Sequence, residues 1–410
     1  MKSQVILLPC REYDEEKIHH LLKQGLELLG GLPALIDKNE RILLKPNLLK
    51  RAEVERAVIT HPAVVGAFAR ILREEGYEKI VLADSCGTGS TSKVIKGTGM
   101  DTYLENLHIP AIDYTEGVRV EYPQGIQAKE FILPKELTEA DCVVSLSKMK
   151  THALERITGA VKNSYGFVYG LNKAKGHTQY PSADSFARML VDLNRCVNPR
   201  LYIMDGIVAM EGNGPGSGDP VSMNVILMSK DPVALDSVFC HLVHLSPELV
   251  PTNYHGEKMG LGTWKDVELV IPQEKTQAAE TAAADSAARG EKTPGDIAAG
   301  NASHSCDFRQ ISLEEAVKKY GNPDFHVDRT GVRHNIWTKM AKALNLFQKK
   351  PYIDKEKCVS CGVCVNSCPV PGKAVNFTGG KDKPPVYDYR KCIRCFCCQE
   401  MCPKKAIKVR

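Results

Sequence analysis

The chain predicts an α/β protein with a doubly wound, largely parallel sheet domain and, after it, a small α+β domain. Two observations predict the larger unit. Short apolar runs of strand length alternate with amphipathic helical stretches through residues 1–270, and polar, glycine-rich motifs follow directly on the carboxyl ends of those runs. A third observation predicts the smaller unit: eight of the fifteen cysteines fall in the last fifty-odd residues and spell one spacing twice.

Taken in order, Val5–Leu8 has the length and composition of a first strand. Asp14–Leu29 places Ile18, Leu21, Leu22 and Leu26 on one helical face and stops at Gly30-Gly31. A strand at Arg41–Leu44 precedes a helix at Pro62–Glu75, which opens with proline in its first turn and stops at Gly76. Strands are expected at Ile80–Ala83, Cys142–Leu146, Leu201–Met204 and Val225–Met228, with helices at Ser185–Val197 and Pro232–Leu245. Residues 271–305 turn to Ala, Glu, Thr, Gly, Asp and Ser; such a segment buries too little surface to offset its chain entropy and reads as a disordered insertion. Residues 306–350 form a connecting helical segment. It has a helix at Leu313–Tyr320 and a basic amphipathic stretch, Trp337–Phe347, expected to pack the last domain onto the rest.

The last domain, residues 351–410, carries Cys358, Cys361, Cys364 and Cys368-Pro369, then Cys392, Cys395, Cys398 and Cys402-Pro403. Each half is C-x2-C-x2-C-x3-C-P, the run of a bacterial two-cluster ferredoxin, in which the fourth cysteine reaches the other cluster. The expectation is one 4Fe-4S cluster on Cys358, Cys361, Cys364 and Cys402 and another on Cys392, Cys395, Cys398 and Cys368. A zinc ribbon has no use for the third cysteine or the proline, and cysteines this close in sequence make a poor disulfide framework. Lys373-Ala374-Val375 and Lys405-Ala406-Ile407 repeat the same internal duplication. Cys397 departs from the pattern, either as a free neighbour of Cys398 or as a competing ligand.

Composition narrows the function. The chain of 410 residues is 43% hydrophobic, enough for two or more domains. The apolar run at the start is too short for a signal peptide, and no stretch approaches a membrane span, so a cytoplasmic protein is expected. Formal charge is +5, but four thiolates around each cube leave roughly −2 per cluster, which brings the holoprotein near neutrality. With no basic stripe interleaved with aromatics, nucleic acid is not an expected partner.

In the larger domain Lys45-Pro46-Asn47, Asp84-Ser85-Cys86-Gly87, Ser147-Lys148-Met149-Lys150-Thr151-His152 and Asp205-Gly206 each follow a strand. Carboxyl ends of parallel strands line the crevice where ligands bind, so four such motifs imply one site. Lys45-Pro46-Asn47, Thr60-His61-Pro62, Lys150-Thr151-His152, Gly159 with Lys162-Asn163 and Gly166, Asp205-Gly206, Gly212-Asn213-Gly214-Pro215 and Asp231-Pro232-Val233-Ala234-Leu235-Asp236 together resemble the domain of unknown function 362 family over roughly residues 35–250. Members are often fused to a ferredoxin-type module; the resemblance implies no settled reaction.

From the residues themselves, Lys45, Lys150, His152, Lys162 and Asn163 are the candidate catalytic groups. Asn47, His61, Asp84, Ser85, His177, Asp205 and Asn213 are candidates to bind substrate. Lysines 148, 150, 162, 173 and 175, interspersed with glycines, suit a carboxylate or phosphate. Neither Gly87-x-Gly89 nor Gly212-x-Gly214-x-Gly216 has the continuation of a nucleotide-binding loop; the second reads as a turn or as a lid closing over substrate. Asp84, Asp205, Glu211 and Asp236 with His61, His152 or His177 have the side-chain types for an additional divalent metal, though no spacing selects a set. Cys86 is a candidate nucleophile if a helix begins beside it.

Two readings follow. One is an oxidoreductase that takes electrons from a ferredoxin or flavodoxin type partner and relays them to an anionic small molecule on the rim; it requires the cysteine module to dock over that rim. The alternative is a non-catalytic electron-transfer or adaptor protein, which requires an exposed apolar patch in place of a closed anionic pocket. A weaker third has structural or sensory clusters beside non-redox chemistry.

Overall fold

Strand β1 (Ser3–Pro9) has Val5, Ile6, Leu7 and Leu8 all buried, as a strand covered on both faces must. The computed structural model describes residues 2–272, 308–331 and 349–410. The insertion at 273–305 and the stretch Trp337–Phe347 therefore lie outside the described residues. Strands β2 (Ile42–Pro46), β3 (Ile80–Leu82), β4 (Gly117–Glu121), β5 (Glu130–Pro134), β6 (Cys142–His152), β7 (Arg156–Thr158), β8 (Leu201–Glu211), β9 (Asp219–Ser229), β10 (Val267–Pro272) and β11 (Phe308–Ile311) follow. The main sheet runs β11-β10-β1-β9-β8-β6-β2-β3, with β7 on the end of β6, and β4–β5 form a separate hairpin.

Strands β3, β2, β6, β8, β1 and β10 run one way, while β9, β7 and β11 oppose them. The sheet is thus mixed and largely parallel. Strand β9 departs from the expected parallel set for a simple reason. Only Gly212–Gly218 separates it from β8, too short for the crossover that parallel pairing needs.

Helices cover both faces. Ile6, Leu8, Ile42, Leu44, Val144 and Leu146 pack against helices Glu15–Leu28 and Pro62–Glu74. The alternate residues Val5, Leu7, Leu43 and Val143 meet helices Ala183–Val197 and Pro232–Leu242 on the other side. The helix ends follow local chemistry: Asp14, Ser182 and Asp231 each accept backbone N–H bonds as N-caps.

The segment after the insertion does not act as a plain connector. Phe308–Ile311 pairs with β10, and Phe325 is fully buried edge-on to Phe239 at 6.1 Å. Arg156 and Arg329 then tie residues 325–330 to the sheet domain through backbone carbonyls. Sequence pattern missed this strand because an edge strand of four residues carries too little periodicity to stand out.

The cysteine module opens with β12 (Pro351–Ile353), which pairs with β15 (Ile407–Val409); β13 (Val375–Asn376) pairs with β14 (Val386–Tyr387). Its internal repeat is also present in the backbone. Ser360 and Gly362 have positive φ, and so do Arg394 and Phe396 at the matching places. Ala374 N–H donates to Cys368 Sγ and Ala406 N–H to Cys402 Sγ, both at 3.3 Å.

Candidate functional site

Strand alternation sorts the rim residues onto two sides of the sheet. Lys45 lies opposite Ser145 in register, on the face of Leu43 and Val143, whereas Lys148 and Lys150 share the face of Val144 and Leu146. Two polar clusters result.

The first centres on Asp205. It accepts from Lys148 Nζ at 2.7 Å, from Tyr13 Oη at 2.9 Å and from the His61 N–H at 2.9 Å, with Asp205 and Lys148 deep in the fold and Tyr13 and His61 half-buried. His61 stacks on Tyr13 with ring centroids 3.5 Å apart, and burial lowers its pKa to about 4. Asp205 and His61 are thus structural, and neither lines the cavity described below. Lys150 is spent on Asn47 Oδ1 at 2.7 Å and the Val58 carbonyl at 2.9 Å; burial, then Lys162, hold its ammonium well below the ordinary lysine range.

The second cluster is open. Lys45 pairs with Asp84 at 2.9 Å and donates to Asn163 Oδ1 at 3.0 Å and to the Pro46 carbonyl. Asn163 donates to Ser145, and Asn47 donates to Asn163, joining the clusters at the rim. Gly166 permits this packing, since a Cβ there would stand 2.0 Å from Asp84 Oδ1. Gly159 similarly lies under Asp236, which accepts from the N–H groups of Ala160 and Val161 and so fixes the turn that carries Lys162 and Asn163. Burial raises the Asp236 pKa to about 7.

The cysteine module sits on this rim. Gln399, fully buried, donates to the Asn213 carbonyl, to Asn213 Oδ1 and to the Gly214 carbonyl. Asn213 returns a bond to the Ile407 carbonyl, Lys50 donates to the Glu400 carbonyl, and Lys405 donates to Gly218 and Asp219. The glycine run Gly212–Gly218 is therefore the seat of this module, where a lid had been the alternative, and Asn213 serves docking. His152 does so too: Leu154 and Glu155 N–H groups donate to its Nδ1, and its Nε2 lies 2.9 Å from Glu400 Oε1. Burial, then Lys162, bring the His152 pKa to about 4. Burial works against the Glu400 carboxylate, yet His152 and Lys162 hold it well below the ordinary range.

Between the two bodies lies a cavity of about 720 Å³. Lys45, Asn47, Asp84, Ser85, Lys162, Asn163 and His177 line it from the sheet domain, and Cys368, Cys397 and Glu400 from the cysteine module. Lys162 makes no hydrogen bond or ion pair among the described residues; its ammonium lies 5.9 Å over the Tyr165 ring. Lys173 donates to the Ser85 carbonyl, and Lys175 is exposed at the margin. Cys86 also lines the cavity, but no helix starts beside it, and burial, then Asp84, pushes its thiol up to about 12, the opposite of the lowering expected of an activated thiol.

The expected additional divalent metal finds no set of ligands: no three His, Cys, Asp or Glu side chains among the described residues are grouped to hold one ion. Asp205, Asp236 and Glu211 are each committed elsewhere, Glu211 to His326.

The eight repeat cysteines fit clusters by donor chemistry. All are free thiols, and Cys358, Cys361, Cys364 and Cys402 line one small cavity. Burial raises the Cys364 thiol to about 11, with Cys358, Cys402 and Cys361 adding to the rise. The same crossed grouping holds around Cys392, whose thiol burial raises first and Cys395 and Cys368 raise further. Tyr387 Oη donates to Cys398 Sγ at 3.1 Å. Cys397 hydrogen-bonds Cys395, which holds the Cys395 thiol down.

Glu400, Gln399, Tyr13 and Thr158 were not singled out by sequence. For Gln399 and Glu400 a signal existed: they stand where the first half of the repeat has Val365 and Asn366, so the halves differ at the docking helix Cys397–Met401.

Two family models match the chain. The domain of unknown function DUF362 matches residues 42–241, and a 4Fe-4S dicluster domain matches residues 350–403. A thylakoid-associated protein of Synechocystis sp. is 36% identical over 263 residues, 64% of this chain and 81% of that protein. The chain belongs to the DUF362 family. Its C-terminal module is an iron–sulfur domain of the 4Fe-4S ferredoxin type. Among solved structures, the lactate racemase apoprotein from Thermoanaerobacterium thermosaccharolyticum is 14% identical with a TM-score of 0.39, covering 58% of this chain and 56% of that one. A Thermotoga maritima protein is 13% identical with a TM-score of 0.31, covering 53% and 56%. The DUF362 chain thus spans little more than half of either, and these likenesses carry no inference about chemistry. No helix among the described residues is long and apolar enough to cross a membrane.

Proposed function

We propose that this DUF362 protein is an iron–sulfur oxidoreductase that passes electrons to an anionic small molecule held between its two domains. The observation that carries the reading is the shared cavity, with Lys162 and Asn163 on one wall and Cys368 and Cys397 on the other. Two 4Fe-4S clusters, on Cys358, Cys361, Cys364 and Cys402 and on Cys392, Cys395, Cys398 and Cys368, would supply single electrons at low potential. Lys162 attracts the anion. The Lys45–Asp84–Asn163 network fixes the floor against which it lies, and the docked module covers one side of the cavity, which thins the water around these polar contacts and strengthens them. Cys361 is exposed and Val359 beside it is 58% exposed, so this face suits a ferredoxin or flavodoxin type carrier on the side away from the cavity.

The adaptor reading draws on the same exposed Val359 and on Val386, 55% exposed. A docking module alone has no use for a cavity whose wall carries an ammonium without a hydrogen bond or ion pair among the described residues. Native mass spectrometry of protein purified without oxygen is expected to find about eight irons per chain, a retained anionic small molecule, and loss of iron in Cys395→Ala. Both clusters present, no retained molecule, and reduced protein that no cell metabolite extract reoxidises would instead establish the adaptor.

A further inference from the structure

Most polar groups around the cavity are already satisfied. Lys45 has Asp84 and Asn163, Asn163 has Ser145, and Lys173 has the Ser85 carbonyl. Of the buried cavity-lining atoms without a hydrogen-bond partner, Asp84 Oδ1 still faces the Lys45 ammonium at 2.9 Å and Glu400 Oε1 faces His152 Nε2 at 2.9 Å. Thr158 Oγ1 and His177 Nδ1 have neither, and both residues line the cavity with Lys162. Thr158 is 2% exposed and His177 6%, so bulk water does not account for either. A buried polar atom without a partner costs about 1–3 kcal/mol, which makes three open valences in one cavity a binding feature.

Their supports are rigid. Thr158 ends β7, held in register opposite Lys150, and Lys162 follows it by one helical turn anchored on Asp236. His177 is clamped face-on by Phe186, with centroids 4.6 Å apart, and edge-on by Tyr165 at 5.4 Å. Burial lowers its pKa to about 3, so at neutral pH the ring is uncharged and offers one N–H.

We propose that Thr158, Lys162 and His177 form an oxyanion subsite that holds the carboxylate of a small organic acid, with the rest of that molecule directed at the Cys368–Cys397 wall. One ammonium, one hydroxyl and one neutral imidazole match a single negative charge. A phosphate dianion calls for a second unpaired cation, and the next one, Lys175, is exposed at the margin. The subsite rests on the reading that substrate occupies this cavity.

The test uses the full chain with its clusters, kept anaerobic, and ligand-observed NMR against short mono- and dicarboxylic acids and inorganic phosphate. A subset of the carboxylates should bind and phosphate should not. Thr158→Val should weaken binding about tenfold, the scale of one hydrogen bond to a charged group. Lys162→Met should abolish it, while Lys175→Met and the visible absorbance stay unchanged. Carboxylate binding that ignores Thr158→Val and Lys162→Met overturns the subsite, and so does binding of phosphate alone or of nothing. A carboxylate that depends on these residues but never reoxidises the reduced protein retains the subsite and removes the oxidoreductase reading. One that reoxidises it independently of these residues does the reverse.

Discussion

Lys45 shows how much a single side chain depends on its partner here. It is 1% exposed, and its ammonium is compensated by Asp84 at 2.9 Å. Removing one member of a buried pair costs about 3–5 kcal/mol because the other charge is left uncompensated, whereas removing both costs far less. Lys45→Met should therefore lower stability by about 3 kcal/mol or more, and Lys45→Met with Asp84→Asn should recover most of it in urea melts. Equal losses in the single and double variants would mean that the pair contributes through packing alone. Sequence named Lys45, Asp84 and Asn163 as residues of one rim, and the structure brings the three into contact. It also named Lys150 and Asp205, which alternation turns to the other face, and His61, which caps the helix on that face; that parity is invisible until strand register is known.

At the scale of elements, helix Cys397–Met401 and the connection Gly212–Gly218 act together. Gly216 brings its backbone to the Glu400 carbonyl, where a Cβ would stand at 2.9 Å, and Gln399 spans the joint with three bonds. Gln399→Leu should loosen this contact by about 1–3 kcal/mol. Hydrogen exchange should quicken in residues 212–218 and 397–401 while the cluster absorbance persists. Unchanged exchange would show that Lys405, Lys50 and Asn213 suffice. A glycine-rich run reads as a turn or lid from sequence, because the partner that demands close approach lies nearly two hundred residues away.

For the whole molecule, the buried His152 and His177 and the half-buried His61 set a pH dependence. Burial, the first cause in each case, lowers His61 and His152 to about 4 and His177 to about 3, from an ordinary value of 6.5. Between 6.5 and those values the unfolded chain binds protons that the folded chain refuses, so stability is lost as pH falls through this window. Thermal melts should drop progressively from pH 6.5 towards pH 4, and His177→Phe should make the decline shallower. A profile flat over this range would mean that these rings accept protons within the fold.

The amino-acid sequence by itself determined six strands of the main sheet and the four long helices that cover it, the ferredoxin-type duplication and the family, because each is written in local spacing: period-two and helical patterns, capping residues, C-x2-C runs. It also placed the polar motifs at strand ends. Tertiary structure alone decided which of them share a face, that β9 turns back antiparallel, that Phe308–Ile311 extends the sheet, and that the cysteine module closes over Lys162 and His177. Those outcomes depend on register and on contacts between distant segments, whose energies come from burial and hydrogen bonds that no short window of sequence contains.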